Sequence, residues 1–130
     1  MGQQQLLILV LVAIIVGIAI YGATHLMEAY NQSSERDVII HRLNYLVAEA
    51  KKYAEKPTSL GGGAGSFRGF VPAAMLTVTN EMTISTTAGD TWVLFQGIGK
   101  TIGEDGRTPV QIVGQFDKPT DKWTTLIKVN

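Results

Sequence analysis

This chain contains no cysteine, so it has no disulfide framework, no thiolate metal site and no cysteine nucleophile. Its 11 basic and 11 acidic residues cancel, and like charges nowhere form a block. That balance removes the electrostatic footprint of a nucleic-acid binder, and no nucleic-acid partner is expected. Histidine is scarce, with only His25 and His41. On one helix they would sit about 24 Å apart by rise, too far to share a metal. Proline is missing from residues 1–56, which permits one long unbroken helix. Asp, Glu, Lys and Arg are all missing from residues 1–27. The first half of that helix therefore has almost nothing to hold it in water.

What fills the gap is hydrocarbon. Leu6 to Ile20 reads LLILVLVAIIVGIAI, apolar throughout apart from Gly17. As a helix, Leu6 to Ala23 is about 27 Å long, near the lower limit for crossing a bilayer core of about 30 Å. Leu26 and Met27 extend it slightly. A secretory signal peptide would open with positive charge, whereas this segment opens Gly2-Gln3-Gln4-Gln5. No small-residue cut site is evident, and the helical pattern runs through the place where a cut would fall. Two readings remain: a permanent single-span anchor, and a helix stored in a membrane that later becomes the core of an assembly.

After Met27 the sequence turns polar, with Glu28, Asn31, Gln32, Ser33, Ser34, Glu35, Arg36 and Asp37. Apolar residues then recur at Ile39, Leu43, Leu46, Val47, Ala50, Tyr53 and Ala54, spacings that draw one stripe on a helix. Lys51, Lys52 and Lys56 suit the negative end of the helix dipole, and Pro57 stops the helix. From Gln3 to Lys56 the rod would be about 80 Å long, far longer than the remaining chain is wide. Its apolar half must project, and in water that half needs lipid or copies of itself. Gly17 and Gly22 each cost this helix up to ~1 kcal/mol relative to alanine, and close helix–helix approach is the favoured reason for them.

Residues 57–73 are glycine-rich and read as a flexible connection, with Phe67 and Phe70 pinned to the core. A phosphate loop is excluded there because no Gly-Lys-Ser/Thr ending follows. Five strands are expected, at Met75–Thr79, Met82–Thr86, Trp92–Ile98, Val110–Phe116 and Trp123–Val129. Thr87-Ala88-Gly89-Asp90, Gly103-Glu104-Asp105-Gly106 and Asp117-Lys118-Pro119-Thr120 would turn between them. The expected architecture is α+β. A long N-terminal helix protrudes by its apolar half and packs its other half on a small antiparallel sheet. Its parts are an apolar half-helix (1–27), an amphipathic half-helix (28–56), a connecting loop (57–73) and a sheet (74–130).

Chemistry is sparse. Glu104, Asp105, Asp117 and Asp121 could gather near one end of the sheet and hold calcium, but solvated turn residues are the favoured reading. No nucleophile–base pair stands out, and so small a sheet offers little depth for a cleft, so neither an enzyme nor a cofactor is expected. Tyr21, Tyr30, Tyr45 and Tyr53 fit packing at an interface or membrane boundary.

The segment from Gly2 through QQQLLILVLVAIIVGIAI resembles the N-terminus of type IV pilins and pseudopilins. In that family a glycine precedes a peptidase cut, and an apolar helix follows directly. The resemblance sets Gly2 before the cut and Gln3 as the first mature residue, where the family's N-terminus is methylated. It departs from the family at the fifth mature position, where Leu7 replaces the usual glutamate. The resemblance implies a structural subunit of a filament, held in the inner membrane until assembly machinery moves it to the cell surface. Leu6, Leu7, Val10, Ile14, Ile15 and Ile18 would pack the core of a helical homo-oligomer. A secretion-type pseudopilin and a permanently anchored periplasmic binding module are the alternatives.

Overall fold

A computed structural model describes residues 2–128 and shows an α+β fold. Helix α1 (Gly2–Glu55) runs 54 residues without a break, about 80 Å at 1.5 Å per residue. A short helix, α2 (Ala74–Thr77), follows a loop, and four strands come last. These are β1 (Met82–Ala88), β2 (Trp92–Ile102), β3 (Pro109–Asp117) and β4 (Lys122–Lys128). All neighbours are antiparallel and the order is β1-β2-β3-β4, a simple meander. Met1 and Val129, the latter expected to end the last strand, lie outside the described residues.

The second half of α1 is held by one face of the sheet. Ile39, Leu43, Leu46, Val47, Ala50 and Ala54 are buried, the three-and-four spacing having put them on one side of the helix. Opposite them the strands alternate as half-buried sheets do: Met82 and Ile84, Val93 and Phe95, then Val110, Ile112 and Phe116 point inward. Phe67 is buried edge-on to Phe116 at 5.8 Å between ring centres. Phe70 meets Phe95 edge-on at 6.4 Å, so both loop phenylalanines pin the loop to this core. Each large buried side chain contributes about 1.5–3 kcal/mol relative to its exposed state.

Two glycines set how closely the helix lies on the sheet. Gly97 and Gly99 occupy alternate inward positions of β2 and are buried. A Cβ on Gly97 would enter contact distance of the Ile39 side chain, and one on Gly99 would meet the Glu35 carboxylate. Side chains at these positions would lift α1 away.

Two expectations are corrected. The glycine-rich stretch is no flexible connection, because it folds back and caps the end of α1. Gly63 N–H donates to Tyr53 O at 2.9 Å, Ala64 N–H to Lys56 O at 2.9 Å and Gly65 N–H to Ala54 O at 2.6 Å. These bonds satisfy carbonyls that every helix leaves open at its C-terminus. Gly61 and Gly65 take positive φ (78° and 96°), and at Gly62 and Gly63 a Cβ would strike Lys56 and the Ser66 carbonyl.

Met75–Thr79 is not a strand. Residues 74–77 make one helical turn and only Val78 bridges, to Thr83. Thr79 N–H already donates to Met82 O in a tight reversal, which leaves this run room for one bridge alone. Glu104 and Asp105 lie in the turn between β2 and β3, whereas Asp117 ends β3 and Asp121 lies in the turn before β4. Successive turns of a meander lie at opposite ends, so the four carboxylates do not gather. Among the described residues no group of three or more His, Asp or Glu could hold a metal.

Candidate functional site

Every residue from 2 to 31 is exposed. A free helix about 45 Å long therefore projects from the domain. The expected packing residues all lie on it: Leu6 (66% exposed), Leu7 (68%), Val10 (47%), Ile14 (55%), Ile15 (57%) and Ile18 (67%). The helix gathers these six along one broad side. Leu9 (70%), Val12 (53%) and Val16 (50%) are just as bare, so the rod is apolar all round. A helix apolar all round belongs in lipid or in the core of a larger body. It is also the one helix among the described residues long and apolar enough to cross a membrane.

Gly2 and Gln3 form the start of α1, and no acidic residue lies in its first turn. The first four amide N–H groups of any helix lack intrahelical acceptors, and here the nearby side chains are the neutral amides of Gln3, Gln4 and Gln5. Near the far end of the apolar stretch, His25 stands edge-on to Tyr21 at 4.5 Å and 3.8 Å from the Glu28 carboxylate. Polar and aromatic groups thus meet where a bilayer boundary would fall.

The rod is joined to the domain by a polar clamp at the point where it leaves. Gln32 Nε2 donates to Ile102 O at 3.0 Å. The Glu35 carboxylate accepts Lys100 N–H at 2.8 Å and Thr101 N–H at 2.9 Å. Those amides come free because β2 bulges here: the pairs Ile98–Gln111 and Ile102–Pro109 leave three β2 residues facing one of β3. Arg36 adds a contact to Glu104 at 3.7 Å. Replacing Glu35 by alanine should remove two hydrogen bonds to a charged acceptor, one from the half-buried Thr101 N–H and one from the exposed Lys100 N–H, and cost about 1–3 kcal/mol. Hydrogen exchange at Lys100 and Thr101 should quicken at least tenfold, with Glu35→Gln, which keeps an acceptor oxygen, falling between. Unchanged exchange in the alanine variant would refute the clamp.

The β2–β3 turn beside this clamp is fixed by Asp105. Its carboxylate accepts the Thr108 hydroxyl at 2.6 Å and the Arg107 and Thr108 N–H groups at 2.9 Å. Those bonds, the hydroxyl first, hold its carboxyl below the ordinary aspartate value of 3.8. Lys52 is raised from its ordinary value by the hydrogen bond and charge of Glu49, one turn back.

Scans against family models, curated proteins and solved structures found no match to this chain. The functional reading therefore rests on the geometry above. Sequence reasoning reached the rod and the stripe beneath the sheet. It missed the clamp and the second face of α1, where Val38, His41, Arg42 and Tyr45 line a groove walled by Leu76 of α2. Gly97-x-Gly99 inside an apolar strand was the one legible hint of close helix approach.

Proposed function

We propose that this chain is the structural subunit of a type IV pilus-like extracellular filament. One observation carries the reading: a charge-free apolar rod, bare on every side, grows without a break out of a folded domain. Burying a dozen such side chains contributes about 20–30 kcal/mol relative to water. Relative to lipid the gain is small, because lipid tails are as apolar as leucine. The rod therefore rests in the inner membrane, and an energy-driven assembly machine transfers it to the filament core. The sheet domains tile the outside. The role is structural rather than catalytic.

Gly17 and Gly22 support this reading. Among the described residues, nothing beyond the helix's own neighbouring backbone lies within 4 Å of a Cβ built on either residue, so no contact within the subunit calls for them. Their cost of up to ~1 kcal/mol each makes sense where neighbouring rods approach backbone to backbone. The apolar length also suits a permanently anchored periplasmic module, and that is the rival to exclude.

The deciding experiment shears expressing cells, images the released material by cryo-electron microscopy and reads the N-terminal mass of this chain in it. Filaments built from the chain are expected, with a mass that distinguishes a start at Gln3 from one at Met1. Recovery only from membranes, as a monomer in detergent, would overturn the filament in favour of the anchored module.

A further inference from the structure

Of all the aspartates and asparagines in this chain, only Asp105 is followed by glycine. An Asp-Gly pair is open to attack of the backbone on its own side chain. Glycine has no Cβ to shield its amide nitrogen or to restrict the rotation that brings that nitrogen to the carboxyl. The structure places the pair in the turn between β2 and β3, exposed to water. Gly106 takes a positive φ of 65° there, a conformation that strains any residue with a side chain. The turn thus demands glycine at the one position where glycine leaves Asp105 vulnerable.

We infer that Asp105–Gly106 is a self-modification site that converts slowly to an isoaspartyl linkage, with the Thr108 hydroxyl as the latch that holds the reaction off. The chemistry needs no cofactor. The Gly106 nitrogen bonds to Asp105 Cγ, and the neutral carboxyl loses its hydroxyl together with the amide proton as one water. The product is a cyclic imide. Water then adds back at one of its two carbonyls. Opening at Cγ restores aspartate, whereas opening at the backbone carbonyl leaves the chain running through the side chain. The water lost equals the water regained, and nothing is oxidised or reduced.

Both reactants are tied in the folded turn. Asp105 Oδ1 accepts the Arg107 and Thr108 N–H groups, each at 2.9 Å, and Oδ2 accepts the Thr108 hydroxyl at 2.6 Å. These bonds aim the carboxylate at residues 107 and 108. They also favour its ionised form, which has no hydroxyl to lose. Gly106 N–H meanwhile donates to Gly103 O at 3.1 Å, and Gly103 N–H closes the turn on Thr108 O at 2.8 Å. Thr108 is therefore a positioning residue: it holds both carboxylate oxygens, and its hydroxyl makes the shortest of the three bonds.

An isoaspartyl linkage adds a methylene to the backbone and shortens the branch that carries the carboxylate, so these bonds cannot all re-form. The turn also holds Glu104 3.7 Å from Arg36. The strand that enters it carries Lys100, Thr101 and Ile102, the partners of Glu35 and Gln32. Isomerisation therefore loosens the clamp on α1 where the rod leaves the domain. The reaction needs only the lone chain, so it is independent of any filament.

The test ages the detergent-solubilised full-length chain at elevated temperature, both folded and in urea. Electron-transfer fragmentation then sorts the Asp105 peptide into aspartyl and isoaspartyl forms. The folded parent should isomerise at least tenfold more slowly than the denatured one. Thr108→Val, which keeps the shape and removes the hydroxyl, should raise the folded rate at least threefold, and Thr108→Ser should match the parent. Near-ultraviolet circular dichroism establishes that the variants are folded. Asp105→Glu, whose longer side chain closes the ring poorly, should give no isomer. Lys100 and Thr101 should exchange hydrogen faster in the isomerised fraction than in the unmodified one.

No isoaspartate even in the denatured parent would overturn the site. Equal rates in the folded and denatured parent would overturn the lock, and a parental rate in folded Thr108→Val would overturn the latch. Unchanged exchange at Lys100 and Thr101 would overturn the link to the clamp.

Discussion

Replacing Ile14 by lysine is expected to abolish filaments while leaving the sheet domain folded. Ile14 is 55% exposed in the lone subunit and precedes the first buried residue, Ile39, by 25 positions, about 37 Å of helix. The domain cannot feel the change. A packed core of rods would feel it in every subunit. No carboxylate occurs in residues 1–27 of any neighbour, so the ammonium would be buried without a partner, at a cost of several kcal/mol per subunit. A lysine at the centre of a membrane helix costs about 2.5–3.5 kcal/mol, which the surrounding apolar residues can absorb, so membrane insertion should survive. Sedimentation and imaging report the filament, and near-ultraviolet circular dichroism of the detergent-solubilised chain reports the domain. Abundant filaments from Ile14→Lys would sink the burial mechanism.

The converse variant is Phe95→Ala. Phe95 is fully buried in β2 and lies edge-on to Phe70 at 6.4 Å and to Trp123 at 6.5 Å. Removing the ring costs about 3–5 kcal/mol, as lost transfer energy plus a cavity. At about 0.05–0.15 kcal/mol per residue, the region after the helix has roughly 4–11 kcal/mol to lose. The variant should drop the melting temperature by well over ten degrees, or leave the domain unfolded, with the rod still inserted in the membrane. A melting temperature within two or three degrees of the parent would mean that the core is not centred on Phe95. Together the two variants separate the halves of the molecule: one breaks assembly and spares the fold, the other breaks the fold and spares the anchor.

How far the sequence revealed this depends on how far apart the interacting residues lie. Helix α1 was legible because its signals are local: no proline before Pro57, unbroken hydrocarbon to Ile20, then Ile39, Leu43 and Leu46 in step. The antiparallel order followed from short turns. Met75–Thr79 misled because a short run of apolar and threonine residues suits a strand or a helical turn equally. Glycines 61–65 misled for a different reason. Composition alone reads as slack, while the Gly63, Ala64 and Gly65 N–H groups are spent on the end of α1 and those of Gly61 and Gly62 on the turn that follows it. The Glu35 clamp was out of reach, since its acceptor and donors are 65 and 66 residues apart and the bulge that frees those amides is a property of strand pairing. The rod was the most legible part of the candidate site.

The unbroken run of α1 from Gly2 to Glu55 also decides how a subunit would carry load. A pull on the rod travels along the helix axis into a domain that grips it side-on, from Gln32 to Ala54. The Glu35 hydrogen bonds and the apolar contacts beneath the sheet are then all strained together in shear, with none exposed to peeling one by one. Forced unfolding is governed by the barrier to that joint rupture and hardly at all by equilibrium stability. A domain of modest thermodynamic stability could thus hold a tether well, and its weak direction would be a sideways pull that lifts the helix off Gly97 and Gly99.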